Sequence, residues 1–420
     1  MELELEMVPA ARDNWLKIED HSTLNTMTSK LASHLVQLLV SINPLQPLDC
    51  TSVVQREKDE GLWEAVRTAC VQLRGGRAGK DSLFPGAQPV NMCKRNVHEV
   101  QSLPYFVAEK TDGVRYLMMA LSSRSGTQTA VLVDRSMSLF KVAGGEYIGR
   151  VLGMGTILDG ELVLQRDRNQ AVFIAFDILR CRDRVILQKL FRDRLVELHG
   201  VFQAYEEQVH RGDQPEHLPL LQKRYFKRKN IMELFRNVHC EGRERVYRDG
   251  SVRHHKTDGV IFQPNTPYII GTDRRLLKWK WVDLASVDLR AYPPSGMGDG
   301  RSLRLCTEAS DHQEVDMSAI VHLTEQDKSR LLADLSNRPS IAEVALDPGS
   351  GLWVYMGMRP DKDRPNFVTT VMATIVEVAE GLSEEELKYR MLVNKPSEDD
   401  WAGQEEVMRQ RAVVWQYGRK

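Results

Sequence analysis

Apolar positions fall at helical spacing in the first part of the chain, at Leu31, Leu35, Leu38 and Leu39 and again at Leu62, Val66 and Val71, until LRGGRAGKDS breaks the pattern. Steps of three and four put such residues on one helix face, so residues 1–80 are predicted to be a helical N-terminal extension, a separate layer or appendage. From Phe84 the character changes to short β-prone runs divided by Asp-Gly steps: PYFVAEK, VRYLMMAL, TAVLVD, TILDGELVLQ, AVFIAFDIL and GVIFQP. These runs predict a mostly antiparallel α+β domain over 81–283. Amphipathic helices interrupt it at FRDRLVELHGVF and NIMELFRNV.

After LLKWKWVDLASVDLR come strands with long loops, AYPPSGMGDGRS and LDPGSGLWVYMGM, which suits a small C-terminal β-barrel of the oligonucleotide-binding (OB-fold) type. The joint falls near Val282 to Ala285, with the barrel over 284–395 and a last helix or tail over 396–420. Charge adds little: 57 basic and 58 acidic residues leave a net charge of -1, so contact with a polyanion must come from local patches. The six cysteines show no C-x-x-C spacing, which argues against a zinc ribbon, a redox dithiol or a disulfide scaffold and suits a reducing compartment. The N-terminus lacks a basic leader and the longest aliphatic run is too short to span a bilayer, so no membrane partner is expected.

One pentapeptide, KTDGV, occurs twice, at Lys110 to Val114 and at Lys256 to Val260. Asp-Gly suits a tight turn, and both copies read as turns joining strands. A lysine acts as a nucleophile near neutral pH only if desolvation or neighbouring cations push its amine below the usual value of about 10.4. Lys110 has the better setting, following the apolar run Tyr105 to Ala108 and preceding Arg115. Lys256 follows Arg253, His254 and His255, a polar run that reads as a solvated loop.

At these residues the chain resembles the covalent nucleotidyltransferases, the superfamily of mRNA capping guanylyltransferases and ATP-dependent polynucleotide ligases. Lys110 to Arg115 matches K-x-D-G-x-R, and the further motifs follow in the family's order. They are Asp134-Arg135, Asp159-Gly160-Glu161-Leu162, FIAFDIL at Phe173 to Leu179, Asp258 to Phe262, Leu277-Lys278-Trp279-Lys280, and Arg359-Pro360-Asp361-Lys362 with Pro365-Asn366. Single short motifs are weak, but an ordered set from Phe84 to Val393 is not. The last motif, LLKWKW and Lys223 in QKRYF resemble the capping type more than the DNA ligases, although Trp281 stands where the family usually has proline.

The resemblance implies that Lys110 attacks the α-phosphate of GTP and passes GMP to 5′-diphosphate RNA. It places Arg115, Arg135, Asp159, Gly160, Glu161, Phe176, Lys223, Lys278, Trp279 and Lys280 around the nucleotide, and Asp258 on Mg2+ or Mn2+. Lys278 and Lys280, two apart on a strand, would share one face and also push the Lys110 amine down. Phe176 fits both base stacking and core packing. Arg359, Asp361 and Lys362 reach the β- and γ-phosphates only if the barrel closes, and alone they read equally as an exposed turn. KRYFKRK fits a nucleic-acid surface, a solvated strand face or a nuclear import signal.

His239-Cys240 with Arg245 has one residue too few for a phosphatase loop, so the RNA 5′-triphosphatase is expected to be a separate protein. The family further implies a nuclear location and contact with the phosphorylated RNA polymerase II C-terminal tail. The alternatives are an ATP-dependent polynucleotide ligase and a catalytically silent nucleic-acid-binding protein of the same fold.

Overall fold

The structure is a computed structural model that describes residues 50–417 apart from 77–83, 123–125, 127, 212–214, 242–243, 251–252, 295–302, 311–312, 336–337, 348–349 and 361. The helical pattern expected around Leu31 to Leu39 therefore lies outside the described residues. Helix Glu60–Leu73 does form, capped by the Asp59 side chain, which accepts from the Leu62 amide at 2.9 Å. It is not an appendage. Its buried face, Leu62, Val66, Ala69, Cys70 and Leu73, packs on Leu117, Met119 and Val131 of the following domain, because the run in VRYLMMAL is apolar on both strand faces and needs a cover on each. The alternate residues Tyr116, Met118 and Ala120 pack towards Leu198, Phe202 and Tyr205 of helix Phe191–His210. Each such side chain contributes up to about 1.5–3 kcal/mol on burial.

Among the described residues the first sheet has eight strands, in the order Gln55–Glu57, Leu139–Lys141, Gln128–Val133, Val114–Ser122, Ile157–Gln165, Gln170–Cys181 and Leu220–Gln222, with Arg184–Val185 beside Gln170–Cys181. The second, of seven strands, runs Phe226–Lys227, Tyr105–Thr111, Arg253–Pro264, Glu244–Asp249 and Val238–Glu241. Strand Gly271–Lys280 pairs with Arg253–Pro264 and, in parallel, with Ala87–Asn91. The rest is antiparallel except for the pairing of Leu220–Gln222 with Gln170–Cys181.

The two KTDGV copies differ from the expected turns. Asp112-Gly113 carries the chain from strand Tyr105–Thr111 of the second sheet into Val114–Ser122 of the first, and these strands do not pair with each other. The second copy lies inside the continuous strand Arg253–Pro264, with His255 fully buried rather than in a solvated loop. Neither glycine serves a left-handed turn. A Cβ on Gly113 would sit 2.7 Å from the Leu162 carbonyl oxygen, and one on Gly259 would overlap that of Trp279, so both are required by close backbone approach.

The 3-10 turn Val282–Leu284 leads into a third sheet of five antiparallel strands, in the order Glu314–Asp316, Arg304–Glu308, Ser286–Tyr292, Ser340–Leu346 and Trp353–Met358. Helix Glu325–Asp334 lies between its third and fourth strands in chain order. The chain then returns. Leu382, Leu387 and Met391 pack on Phe235, Val260, Trp279 and Trp281, so this segment joins the core of the second sheet rather than the barrel assigned to 284–395. Trp281 accounts for the return, since its indole Nε1 donates to Glu384 at 2.8 Å and its ring lies 5.2 Å from that of Trp279. Helix Trp401–Tyr417 follows. No helix among the described residues is long and apolar enough to cross a membrane.

Candidate active site

The site lies where the two large sheets meet. Lys110, Gly259 and Lys280 form one cross-strand row, Lys110 opposite Gly259 and Gly259 opposite Lys280. The register against Tyr105–Thr111 jumps between Thr257 and Gly259, leaving Asp258 as the extra residue of a β-bulge. The bulge aims its carboxylate between the two lysines. Lys110 Nζ donates to Asp258 Oδ1 at 2.7 Å and Oδ2 at 2.9 Å, and Lys280 Nζ pairs with Oδ2 at 2.7 Å. Thr257 Oγ1 pins the strand end by donating to the Lys110 carbonyl at 2.7 Å.

Burial alone would raise the Asp258 carboxyl, but the Lys110 and Lys280 ammoniums outweigh it and hold it below the usual range. Lys280 is held up in return, Asp258 outweighing burial. Lys278 has no such partner among the described residues: burial first, then the Lys110 and Lys280 charges, push its amine down to about 8. Lys256 of the second pentapeptide is committed elsewhere, in an ion pair with Glu244.

Across the seam, Arg115 forms a forked pair with Asp159, Nε to Oδ1 at 2.9 Å and Nη2 to Oδ2 at 2.6 Å, and also donates to the Ala87 carbonyl. Tyr268 donates its hydroxyl to Asp159 Oδ2 at 2.7 Å and accepts from the Ala87 amide at 2.7 Å. Asp159, expected at the nucleotide, is thus wholly buried and occupied; it holds Arg115 in place. Gly160 is likewise a packing position, where a Cβ would sit 2.6 Å from the Ile174 carbonyl oxygen.

Phe173 is in the core, whereas Phe176 falls at a register jump of its strand and is only half-buried, with the Arg115 guanidinium 5.4 Å from its ring centre. The bulge breaks the alternation that would otherwise govern which way residues on this strand face. Glu161 lies opposite Arg115 in the ladder and has no hydrogen-bond or ion-pair partner among the described residues. Burial lifts its carboxyl above the usual range, against the Lys223, Lys110 and Arg115 charges. Arg135 is exposed.

Trp279 is not on this face. Alternation sends its ring the opposite way from Lys278 and Lys280, into the apolar core, where Nε1 donates to the Leu382 carbonyl at 2.9 Å. Arg359 and Lys362 meet the Asp288 carboxylate on the third sheet, Arg359 at 3.3 Å; Asp361 lies outside the described residues. In KRYFKRK, Lys223 and Phe226 are buried and Arg224 pairs with Asp249 at 2.7 Å, whereas Lys227 and Lys229 are exposed.

Two residues that the sequence did not single out meet on the side of strand Tyr105–Thr111 away from Lys110, Glu109 of that strand and His255 of Arg253–Pro264. Glu109 and His255 are buried with Lys223, whose Nζ pairs with Glu109 Oε1 at 2.9 Å and donates to Thr111 Oγ1. Sequence offers one signal, a glutamate directly before Lys110, but nothing in it says that the side chain is buried.

Two sheets meeting at a lysine, carboxylate and lysine cluster define a covalent nucleotidyltransferase-type domain. The profile of the family described as "mRNA capping enzyme, catalytic domain" matches residues 49–282, more than half of the chain, and the chain belongs to that family. It is similar to the mRNA-capping enzyme subunit alpha of Neurospora crassa, 26% identical over 372 residues that cover 77% of this chain and 89% of the relative. It is similar also to that of Schizosaccharomyces pombe, 28% identical over 338 residues covering 73% and 80%. Among solved structures, Chlorella virus DNA ligase-adenylate aligns with 67% of this chain and 99% of its own, at 13% identity and a TM-score of 0.32, which adds nothing to the assignment.

Proposed function

We propose that this chain, an mRNA guanylyltransferase by its family, works through Lys110. The observation that carries the reading is the placement of Lys110 beside Asp258 and Lys280, with Lys278 on the same strand face. Phosphoryl transfer is mainly positioning and charge neutralisation, which two lysines flanking a third can supply. After losing a proton, the Lys110 amine attacks the α-phosphorus of GTP; the N–P bond forms as the bond to the β-phosphate oxygen breaks, and pyrophosphate leaves. A terminal oxygen of the RNA 5′-diphosphate then attacks the same phosphorus, the P–N bond breaks, and Lys110 regains a proton as GpppN departs.

Lys278 and Lys280 face the α-phosphate, Arg135 and Glu161 the ribose, Phe176 the base, and Arg115 completes the wall behind Phe176. Lys223 is donor-only, which suits the O6 acceptor of guanine and not the amino group of adenine. Among the described residues no cluster of three or more ligating side chains exists, and Asp258, between Lys110 and Lys280, is the carboxylate that would hold the ion. That fits Mg2+ or Mn2+ held largely by nucleotide phosphates. When bound, the ion would neutralise charge on the transferring phosphate.

The third sheet, with its helix between strands three and four, is read as an OB-type domain whose Arg359 and Lys362 exchange Asp288 for pyrophosphate on closure, with Asp361 in the same motif. The separate triphosphatase, the phosphorylated polymerase tail and the nucleus belong to the same reading. Incubation with labelled GTP or ATP and a divalent ion, followed by a denaturing gel, tests it. Label from GTP that is lost in Lys110→Ala is the expected result; label from ATP alone would mean a ligase, and no label a silent relative.

A further inference from the structure

We infer that the buried pair Glu109 and His255 positions Lys223, and thereby sets the preference of the site for guanine; the inference rests on the reading of Lys223 above. Lys223 spans the two sheets. Its backbone amide donates to the Ala175 carbonyl of the first sheet at 2.7 Å, while its side chain reaches Glu109 and Thr111 on the nucleophile strand of the second. Glu109 and Thr111 flank Lys110 in sequence and face the other way along the strand, so one lysine lies on each side of the nucleophile strand.

Glu109 Oε1 accepts from Lys223 at 2.9 Å and lies 3.2 Å from His255 Nε2. An ionised carboxylate only accepts, so Nε2 carries the proton that the histidine donates. Burial alone would raise the Glu109 carboxyl, but Lys223 and the His255 hydrogen bond hold it down at about 2; burial keeps the imidazole below its usual value. His255 is thus a neutral donor that fixes the carboxylate, and the carboxylate fixes the ammonium.

Glu109 Oε2 and His255 Nδ1 are buried and find no hydrogen-bond partner among the described residues. The Lys223 and His255 contacts to Oε1 therefore carry the alignment of the carboxylate. With Glu109 neutralised, Lys223 loses both its counter-charge and its aim, and the base edge loses its discriminating donor.

The test measures lysyl-nucleotide formation at varied GTP and ATP in the full chain. Glu109→Gln should raise KM for GTP about tenfold or more, leave the rate at saturation within about threefold, and cut the GTP-over-ATP preference by a similar factor. Lys223→Ala should do the same, and the double variant should be no worse than Lys223→Ala alone. His255→Gln, which keeps an N–H donor, should stay near wild type while His255→Leu follows Glu109→Gln; this pair carries the test if Glu109→Gln does not fold. Unchanged KM and preference in Glu109→Gln and His255→Leu, or losses that add in full to that of Lys223→Ala, would overturn the inference alone. Absence of any GTP label on the wild-type chain would remove the guanylyltransferase reading and this inference together.

Discussion

Replacing Asp159 with alanine separates two roles that the sequence cannot tell apart. If Asp159 holds Arg115, the variant leaves a guanidinium, 8% exposed in its side chain, facing an empty carboxylate site. Burial would lower that guanidinium, and in the intact protein it is the Asp159 charge and hydrogen bonds that hold it above its usual value. Breaking a buried ion pair by removing one partner costs about 3–5 kcal/mol. Tyr268 also loses its acceptor, which adds to the loss. For the folded unit Cys50–Lys420, at about 2.1 cal/mol/K of unfolding entropy per residue, this is a fall of roughly 4–6 °C in apparent melting temperature.

The assay is thermal unfolding by circular dichroism beside GTP labelling at low temperature. Because the pair is buried together, Arg115→Met with Asp159→Leu should recover most of the lost stability while labelling stays weak. A wild-type melting curve with a raised KM for GTP would refute the reasoning, since it would mean that Asp159 faces the nucleotide.

Two further substitutions test the local geometry. Gly259→Ala brings a Cβ against the Trp279 carbonyl, its carbon at 2.9 Å, and must part the strands that carry Asp258 and Lys280. The expected cost is about 1–3 kcal/mol or more, with adduct formation down at least about tenfold; wild-type labelling and melting would count against it. The Lys278 amine, pushed down to about 8, is a cation below that pH and loses its charge above it. Labelling at subsaturating GTP should therefore decline as pH rises past about 8, and Lys278→Arg, which stays charged, should abolish the decline. An alkaline limb of unchanged position in Lys278→Arg would remove Lys278 from the phosphate site.

Much of the scaffold was legible because strand and helix periodicities are local. PYFVAEK and FRDRLVELHGVF became strand Tyr105–Thr111 and helix Phe191–His210, and Lys110 sits at the strand's end where the apolar run placed it. What failed was non-local. Asp258 reaches Lys110 through a bulge that exists only against a partner strand, and no single-strand pattern encodes it. The glycines of both pentapeptides answer to the backbones of Leu162 and Trp279, not to a turn. The polar run Arg253-His254-His255 reads as solvated, yet His255 finds a buried carboxylate 146 positions away in the chain. Trp281 marked a departure from the family pattern, and its reason, the returning segment from Leu382, lies a hundred residues on.

The decisive measurement is the location of the bound guanylate. A phosphorus–nitrogen bond survives alkali, so the chain can be loaded with GTP and a divalent ion, digested at alkaline pH and mapped by mass spectrometry. GMP should appear on Lys110 in the wild-type chain and in Lys256→Ala, and nowhere in Lys110→Ala. GMP on Lys256 or any other side chain, or an adduct that persists in Lys110→Ala, would contradict the assignment of Lys110 as nucleophile.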